Sequence, residues 1–172
     1  MERIELNPME GRGASLWVRW LGLSVFVVLL DQLTKQTADT LLAYNEPLIV
    51  LPMFNFTLRY NTGAAFSFLA DGGGWQRWFF TVLALVVSVI LIIWLRRLPR
   101  AAVWESLGIA MILGGAIGNV IDRVLFGHVI DFIEVHYQHW YWPAFNVADS
   151  AITVGVAVLL VDGLLNAKAR RR

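Results

Sequence analysis

Few residues in this chain can do chemistry, and those few are of complementary types. Asp31, Asp122, Asp131 and Asp149 are carboxylates, Asn119 and Asn146 can orient them by hydrogen bonding, and Arg123 adds a cation. Two carboxylates held close together cannot both ionise easily, so one keeps a proton while the other stays charged. Such a pair can activate a water with one member and protonate a carbonyl or a leaving amine with the other. That is aspartic-peptidase chemistry, which uses no metal, thiol or serine. Other hydrolytic schemes fit less well. The chain has no cysteine, which excludes a thiol nucleophile, a thiolate zinc site, an Fe–S cluster and disulfide staples. His128, His136 and His139 lack the His-Glu-x-x-His arrangement of a zinc peptidase and read as interfacial residues. A serine–lysine dyad would have to combine Ser150 with Lys35, because Lys168 falls at the opposite membrane face.

These groups stand in an apolar chain. Of 172 residues, 58% are hydrophobic and 16% charged, and the mean hydropathy is +0.60. A soluble domain is about 45–50% apolar and about 25% charged, so lipid must form part of the solvent. So much apolar surface excludes disorder. Fourteen Lys+Arg against thirteen Asp+Glu leaves a net charge of +1, which gives no basic field for nucleic acid. A small integral membrane protein remains.

The reading is one domain, 1–172, mainly α-helical, with four membrane spans at about 15–37, 76–96, 103–123 and 145–166. The second, from Trp78 to Leu95, is uncharged throughout, and so is Ser106–Ile121 in the third. The first contains Arg19 and Asp31, and the fourth contains Asp149 and Asp162. Asp-Gln-Leu-Thr-Lys after the first apolar run is not a small-residue cleavage site, so that segment is read as a span and not as a removed signal. Four spans bring both termini to one side. Ten of the fourteen basic residues lie on the side of the termini and the 2–3 loop, which by the positive-inside rule is the cytoplasm. Trp17, Trp20, Trp94 and Trp104 fall at the inner interface, and Trp75, Trp78, Trp140 and Trp142 at the outer one.

The two outer segments, 38–75 and 124–144, carry a small β-structure. Phe54, Phe56, Leu58 and Tyr60 alternate with Asn55, Thr57, Arg59 and Asn61, the period of a strand. Asn61-Thr62-Gly63 has turn chemistry, Ala64–Leu69 reads as a returning strand, and Asp71–Gly74 as a flexible joint. The second outer segment mixes Val, Ile and Phe with Asp131 and Glu134, then becomes aromatic near Trp140–Trp142.

Height along the spans gathers the chemistry. Asp149 lies 19 residues before Lys168, roughly 28 Å from that end, and Asn119 is equally far beyond Arg100. Asp31 lies 16 residues beyond Ser15, roughly 24 Å up. Asp122 and Arg123 stand one turn above Asn119, and Asp131 follows directly. Only Asp162 faces the other end. Each residue also has a plainer role. Asn146 and Asp149 look like an N-cap and its N3 acid, which taken alone is the favoured reading. Asp122 with Arg123 could be an interfacial ion pair, Asp31 a cap or anchor with Lys35 snorkelling above it, and Gly114, Gly115 and Gly118 packing residues. Separate caps, however, need not share one height with Asn61, Asn119 and Asp131.

Five motifs in order, from about Leu16 to about Leu165, resemble the lipoprotein signal peptidase family, also called signal peptidase II. They are Asp31-Gln-Leu-Thr-Lys35, Asn61-Thr-Gly-Ala-Ala-Phe66, Gly114-Gly-Ala-Ile-Gly-Asn119 with Asp122-Arg123, Val129-Ile-Asp-Phe132, and Phe145-Asn-Val-Ala-Asp-Ser150. The resemblance implies a membrane aspartyl endopeptidase with Asp131 and Asp149 as its catalytic dyad. Asp31, Asn61, Gly63, Asn119, Arg123 and Asn146 match positions that bind substrate or support the site. It further implies no metal or cofactor, and a bacterial inner-membrane location with the site at the outer leaflet. The implied substrates are prolipoproteins cut before a diacylglyceryl-modified cysteine. Inhibition by globomycin-type cyclic peptides and a monomer in contact with lipid are also expected. On the residues alone two rivals stay open: an ion or proton carrier using intramembrane acids, and an assembly subunit whose polar cluster is packing glue.

Overall fold

A computed structural model describes residues 10–63 and 74–169. The expected strand Ala64–Leu69 and most of the Asp71–Gly74 joint lie outside the described residues. Four helices, α1 (Glu10–Leu41), α2 (Trp75–Arg97), α3 (Val103–Leu125) and α4 (Val147–Ala169), accompany four strands: β1 (Leu48–Leu51), β2 (Phe54–Asn61), β3 (Val129–Tyr137) and β4 (Trp140–Tyr141). All four helices are long and apolar enough to cross a membrane, over Trp17–Leu41, Trp75–Arg97, Val103–Leu125 and Val147–Asn166. At 1.5 Å per residue, the 23 residues of α2 reach roughly 35 Å, enough for a hydrocarbon core.

α3 is the central helix and packs against the other three. Its small residues let the others come close. A Cβ on Gly114 would sit 2.7 Å from the Ser24 carbonyl of α1, and one on Gly118 would sit 2.5 Å from Asp31 Oδ2. The G-x-x-x-G spacing is therefore the seat of α1. Ser24 Oγ adds an interhelical bond to the Ala110 carbonyl at 2.8 Å. At the end where α1 begins and α2 ends, Trp17 and Trp20 pack on Leu91, Leu95 and Ile109, with the Arg96 guanidinium over the Trp17 ring. Trp75 and Trp78 stand at the other end of α2, so the tryptophans form two belts.

α1 runs further than the span expected at 15–37. It continues to Leu41, and in this last stretch Thr37 and Thr40 return their hydroxyls to the carbonyls four residues back, at 2.8 Å each. It then hands over to a sheet of order β1-β2-β3-β4, antiparallel throughout. The strand expected at Phe54–Asn61 is β2. Its inward side near the start is the polar one: Asn55 and Thr57 are buried and donate to the buried Glu134 of β3, at 3.2 and 3.0 Å. A bulge between Phe56 and Arg59 shifts the register, and beyond it Arg59 faces Asp131 and Asn61 faces Val129. The strand β1, flanked by Pro47 and Pro52, exposes all four of its apolar residues.

Candidate active site

The start of α4 carries one half of the site. Asn146 caps the helix: its Oδ1 accepts the Asp149 N–H at 2.8 Å, and Asp149 Oδ2 accepts the Asn146 N–H at 3.3 Å. This is a reciprocal capping box, so the plain reading of these two residues is correct as far as it goes. A third acceptor comes from another helix, because Asp31 Oδ1 of α1 takes the Ala148 N–H at 2.8 Å. The unpaired amides of a helix start also favour negative charge there.

The sheet carries the other half. The Phe145 carbonyl accepts from Phe132 N–H and Ile133 N–H at 3.1 and 2.8 Å, and Phe145 N–H returns to the Ile133 carbonyl at 3.0 Å. The chain entering α4 is thereby clamped along β3, which sets Asp131 beside the cap of α4. Asn146 Nδ2 donates to Asp131 Oδ1 at 2.7 Å, and Asn61 Nδ2 donates to Asp131 Oδ2 at 3.1 Å. Asp149 Oδ1 accepts from Asn119 Nδ2 at 2.8 Å. One residue, Asn146, thus holds both carboxylates, Asp131 by its side chain and Asp149 by its backbone. These bonds come from amides, not from a cation. Burial pushes the Asp131 carboxyl from its ordinary 3.8 up to about 7, and the nearby Asp149 charge adds to the rise against the opposing bonds from Asn61 and Asn146. The arrangement can hold one proton between two carboxylates near neutrality.

Beneath the pair lies a charged layer. Lys35 Nζ meets Asp31 Oδ2 at 2.8 Å, Asp122 Oδ2 at 2.9 Å and Asn119 Oδ1 at 2.8 Å, which matches its three protons to three acceptors. Lys35 is wholly buried, so it does not snorkel. An ammonium reaching inward can satisfy two carboxylates that would otherwise be buried unpaired. Asp122 turns to Lys35, to Gln32 Nε2 at 2.8 Å and to the Ile130 N–H at 3.1 Å, and not to its neighbour Arg123 as an interfacial pair would. Arg123 donates to the Gly63 carbonyl at 3.2 Å and to the Asn119 carbonyl at 3.4 Å, with its guanidinium over Phe80. Gly63 N–H in turn bonds Asn61 Oδ1 at 3.0 Å, which fixes the Asn61 amide with its nitrogen toward Asp131.

All eight expected residues (Asp31, Asn61, Gly63, Asn119, Arg123, Asp131, Asn146 and Asp149) therefore join one connected set. Asp122, already counted among the gathered carboxylates, belongs to it as well, and so do Lys35 and Gln32, which the expected site did not include. The signal for Lys35 was its i, i+4 spacing from Asp31, which the snorkelling reading passed over. Lys35 is fully engaged, and Ser150 Oγ bonds the Asn146 carbonyl at 2.9 Å, so the two do not form a dyad. Among the described residues no group of three His, Asp or Glu side chains could hold a metal. His136 stacks on Tyr141, and the His128 ring packs at a tilt against Tyr60. Asp131 is buried, whereas Asp149 lines an open cleft of about 700 Å³ with Trp142, Phe145, Ile152 and Thr153.

Comparison with known proteins bears on this geometry. Residues 23–165 match the family model described as signal peptidase (SPase) II. The chain is 57% identical over 145 residues to a lipoprotein signal peptidase of Pseudomonas syringae pv. tomato, covering 83% of this chain and 84% of that protein. It is 54% identical over 158 residues to the lipoprotein signal peptidase of Pseudomonas putida, covering 91% of each chain. A solved bacterial membrane enzyme, determined in meso at 2.3 Å, superposes with a TM-score of 0.78 at 30% identity, covering 95% of this chain and 93% of that one.

Proposed function

Because the chain belongs to the signal peptidase II family and is a lipoprotein signal peptidase, a protease, we propose that Asp131 and Asp149 are its catalytic pair. The observation that carries this reading is the double grip of Asn146 on the two carboxylates. In the resting pair the more buried Asp131 holds the proton and Asp149, facing the cleft, is ionised. Asp149 takes a proton from water as the hydroxyl adds to the scissile carbonyl carbon, and Asp131 gives its proton to the carbonyl oxygen. Collapse of the gem-diol reverses the roles: Asp149 protonates the leaving amine as the C–N bond breaks, and Asp131 recovers a proton from the diol hydroxyl. Asn61, Asn119 and Asn146 orient the carboxylates, while Asp31 pins the start of α4 and Arg123 ties Gly63 to α3.

The substrate is a prolipoprotein cut just before its diacylglyceryl-modified cysteine, a position that a membrane-held signal segment brings to the height of Asp149. The whole chain acts as one membrane-embedded domain and a monomer, in the bacterial inner membrane, with both termini cytoplasmic. The site lies at the outer leaflet, and globomycin-type cyclic peptides block it. The predominance of bases on the side of the termini and the exposed apolar strand β1, suited to lie on lipid, support this orientation.

The test is to reconstitute the full chain in liposomes with a prolipoprotein in lipidated and unlipidated forms. Cleavage of the lipidated form alone, with the modified cysteine as the new N-terminus by mass spectrometry, is expected. Equal cleavage of both forms, or none, would overturn the reading.

A further inference from the structure

The surface of α4 that faces neither α1 nor α3 has a shape of its own. α4 turns Ala148 and Gly155 toward α3, where Gly115 and Gly108 receive them. On the remaining side, the cleft below Asp149 meets a second one of about 460 Å³ at Val154. The lower cleft is lined by Ala157, Val158, Val161, Asp162 and Leu165 and is flanked by Trp104 of α3. These positions form two adjacent i, i+4 rows. One runs through Thr153, Ala157 and Val161, the other through Val154, Val158 and Asp162. A channel between such rows winds obliquely round its helix and is the groove into which the side-chain ridge of a second helix packs. Among the described residues, no second helix fills it.

Two features specify the occupant. The first is length. Asp149 and Asp162 are 13 residues apart, roughly 20 Å along the axis. A signal segment has an apolar region of about 7–15 residues, which as a helix spans roughly 10–22 Å. The second is charge. Such a segment begins with basic residues, and the groove carries one carboxylate, Asp162, toward the pole opposite the catalytic pair. Asp162 is half-buried and hydrogen-bonded by Asn166 Nδ2 at 3.0 Å, so its carboxylate is oriented. The lipid-facing helix α2 carries no acid at all. An acid on a membrane helix is costly and calls for a partner.

We infer that this oblique groove on α4 seats the helical signal segment of the substrate, and that Asp162 receives the basic residues at its start. The inference rests on the peptidase reading above. It places the two ends of the segment at once, the scissile bond at Asp149 and the basic start at Asp162, so that length and charge are read together.

The experiment measures liposome processing of one lipidated prolipoprotein with either two lysines or two glutamates at the start of its signal segment. The native protein should favour the lysine form about fivefold through KM, the upper range for an ion pair in contact with water. Asp162→Asn should erase this preference and Asp162→Lys should reverse it. The absence of native cysteines allows a second measurement. Val158→Cys should form a disulfide with a cysteine placed midway along the signal segment, whereas Val89→Cys on the exposed face of α2 should not. A preference unchanged in all three proteins, or equal coupling at Val89→Cys, overturns the inference while leaving the peptidase intact. If the native protein processes neither substrate, the peptidase reading fails and this inference with it.

Discussion

Asn146 performs two jobs that a single substitution can separate. Its Oδ1 caps α4, and its Nδ2 lies 2.7 Å from Asp131 Oδ1 and 3.3 Å from both Asn119 Oδ1 and the Ile130 carbonyl. Serine caps a helix as well as asparagine does, but its shorter side chain has one polar atom instead of two and lacks the Nδ2 that reaches Asp131. Alanine removes both roles. A hydrogen bond to a charged group is worth about 1.5–3 kcal/mol, which is roughly 10- to 150-fold in rate if the bond matters at the transition state. The cap alone is worth about 1 kcal/mol of stability. Asn146→Ser and Asn146→Ala should therefore lose similar activity, roughly 10- to 150-fold in kcat/KM by gel shift of lipidated prolipoprotein. In thermal unfolding in detergent, the alanine variant should be the less stable by about 1 kcal/mol. If serine restores activity relative to alanine, Asn146 acts only through the helix cap and does not position Asp131 for catalysis.

Four further outcomes follow from the same contacts. Activity should fall above about pH 7 as Asp131 loses the proton the pair shares, and again in acid when both carboxylates are protonated, as a pH–rate profile would show. Because the folded carboxyl binds its proton more tightly than the unfolded one, its contribution to stability declines between about pH 4 and about pH 7 and is flat above. Lys35→Met leaves Asp31 and Asp122 buried without their cation and should cost roughly 3–5 kcal/mol, in part recovered by adding Asp122→Asn, as read by the unfolding midpoint. Gly118→Ala pushes a methyl onto Asp31 and should cost about 1–3 kcal/mol, whereas Gly22→Ala, with open space around it, should be neutral or slightly stabilising.

Much of this architecture was legible because apolar run length reports directly on membrane helices, and because helix rise turns residue counts into heights. Asp31, Asn119 and Asp149 could be put at one level by that means alone. What residue counts do not carry is direction. Lys35 could reach up to water or sideways into the bundle, and only the joint approach of Asp31, Asp122 and Asn119 decides for the interior. Alternation along Phe54–Asn61 announced a strand, yet not that Asn55 and Thr57 would turn inward, because that depends on Glu134 arriving from β3 about eighty residues later. The strand β1 was missed altogether: four apolar residues between prolines are too short to show a period. Asn146 and Asp149 illustrate the other limit. The cap and the catalytic reading looked like competitors, and the structure has the same two residues joined as a cap while also reaching Asp131.

In the proposed mechanism Asp131 and Asp149 act as one unit on the scissile bond. The decisive test compares processing of lipidated prolipoprotein by Asp131→Asn, Asp149→Asn and the double variant, each inserted in the membrane to the native level. Each single substitution should lower the rate by at least about a hundredfold, and the double variant should be no slower than the worse single one, since removing either partner already disables the pair. A single variant that still processes at near the native rate, or losses that multiply in the double variant, would contradict it.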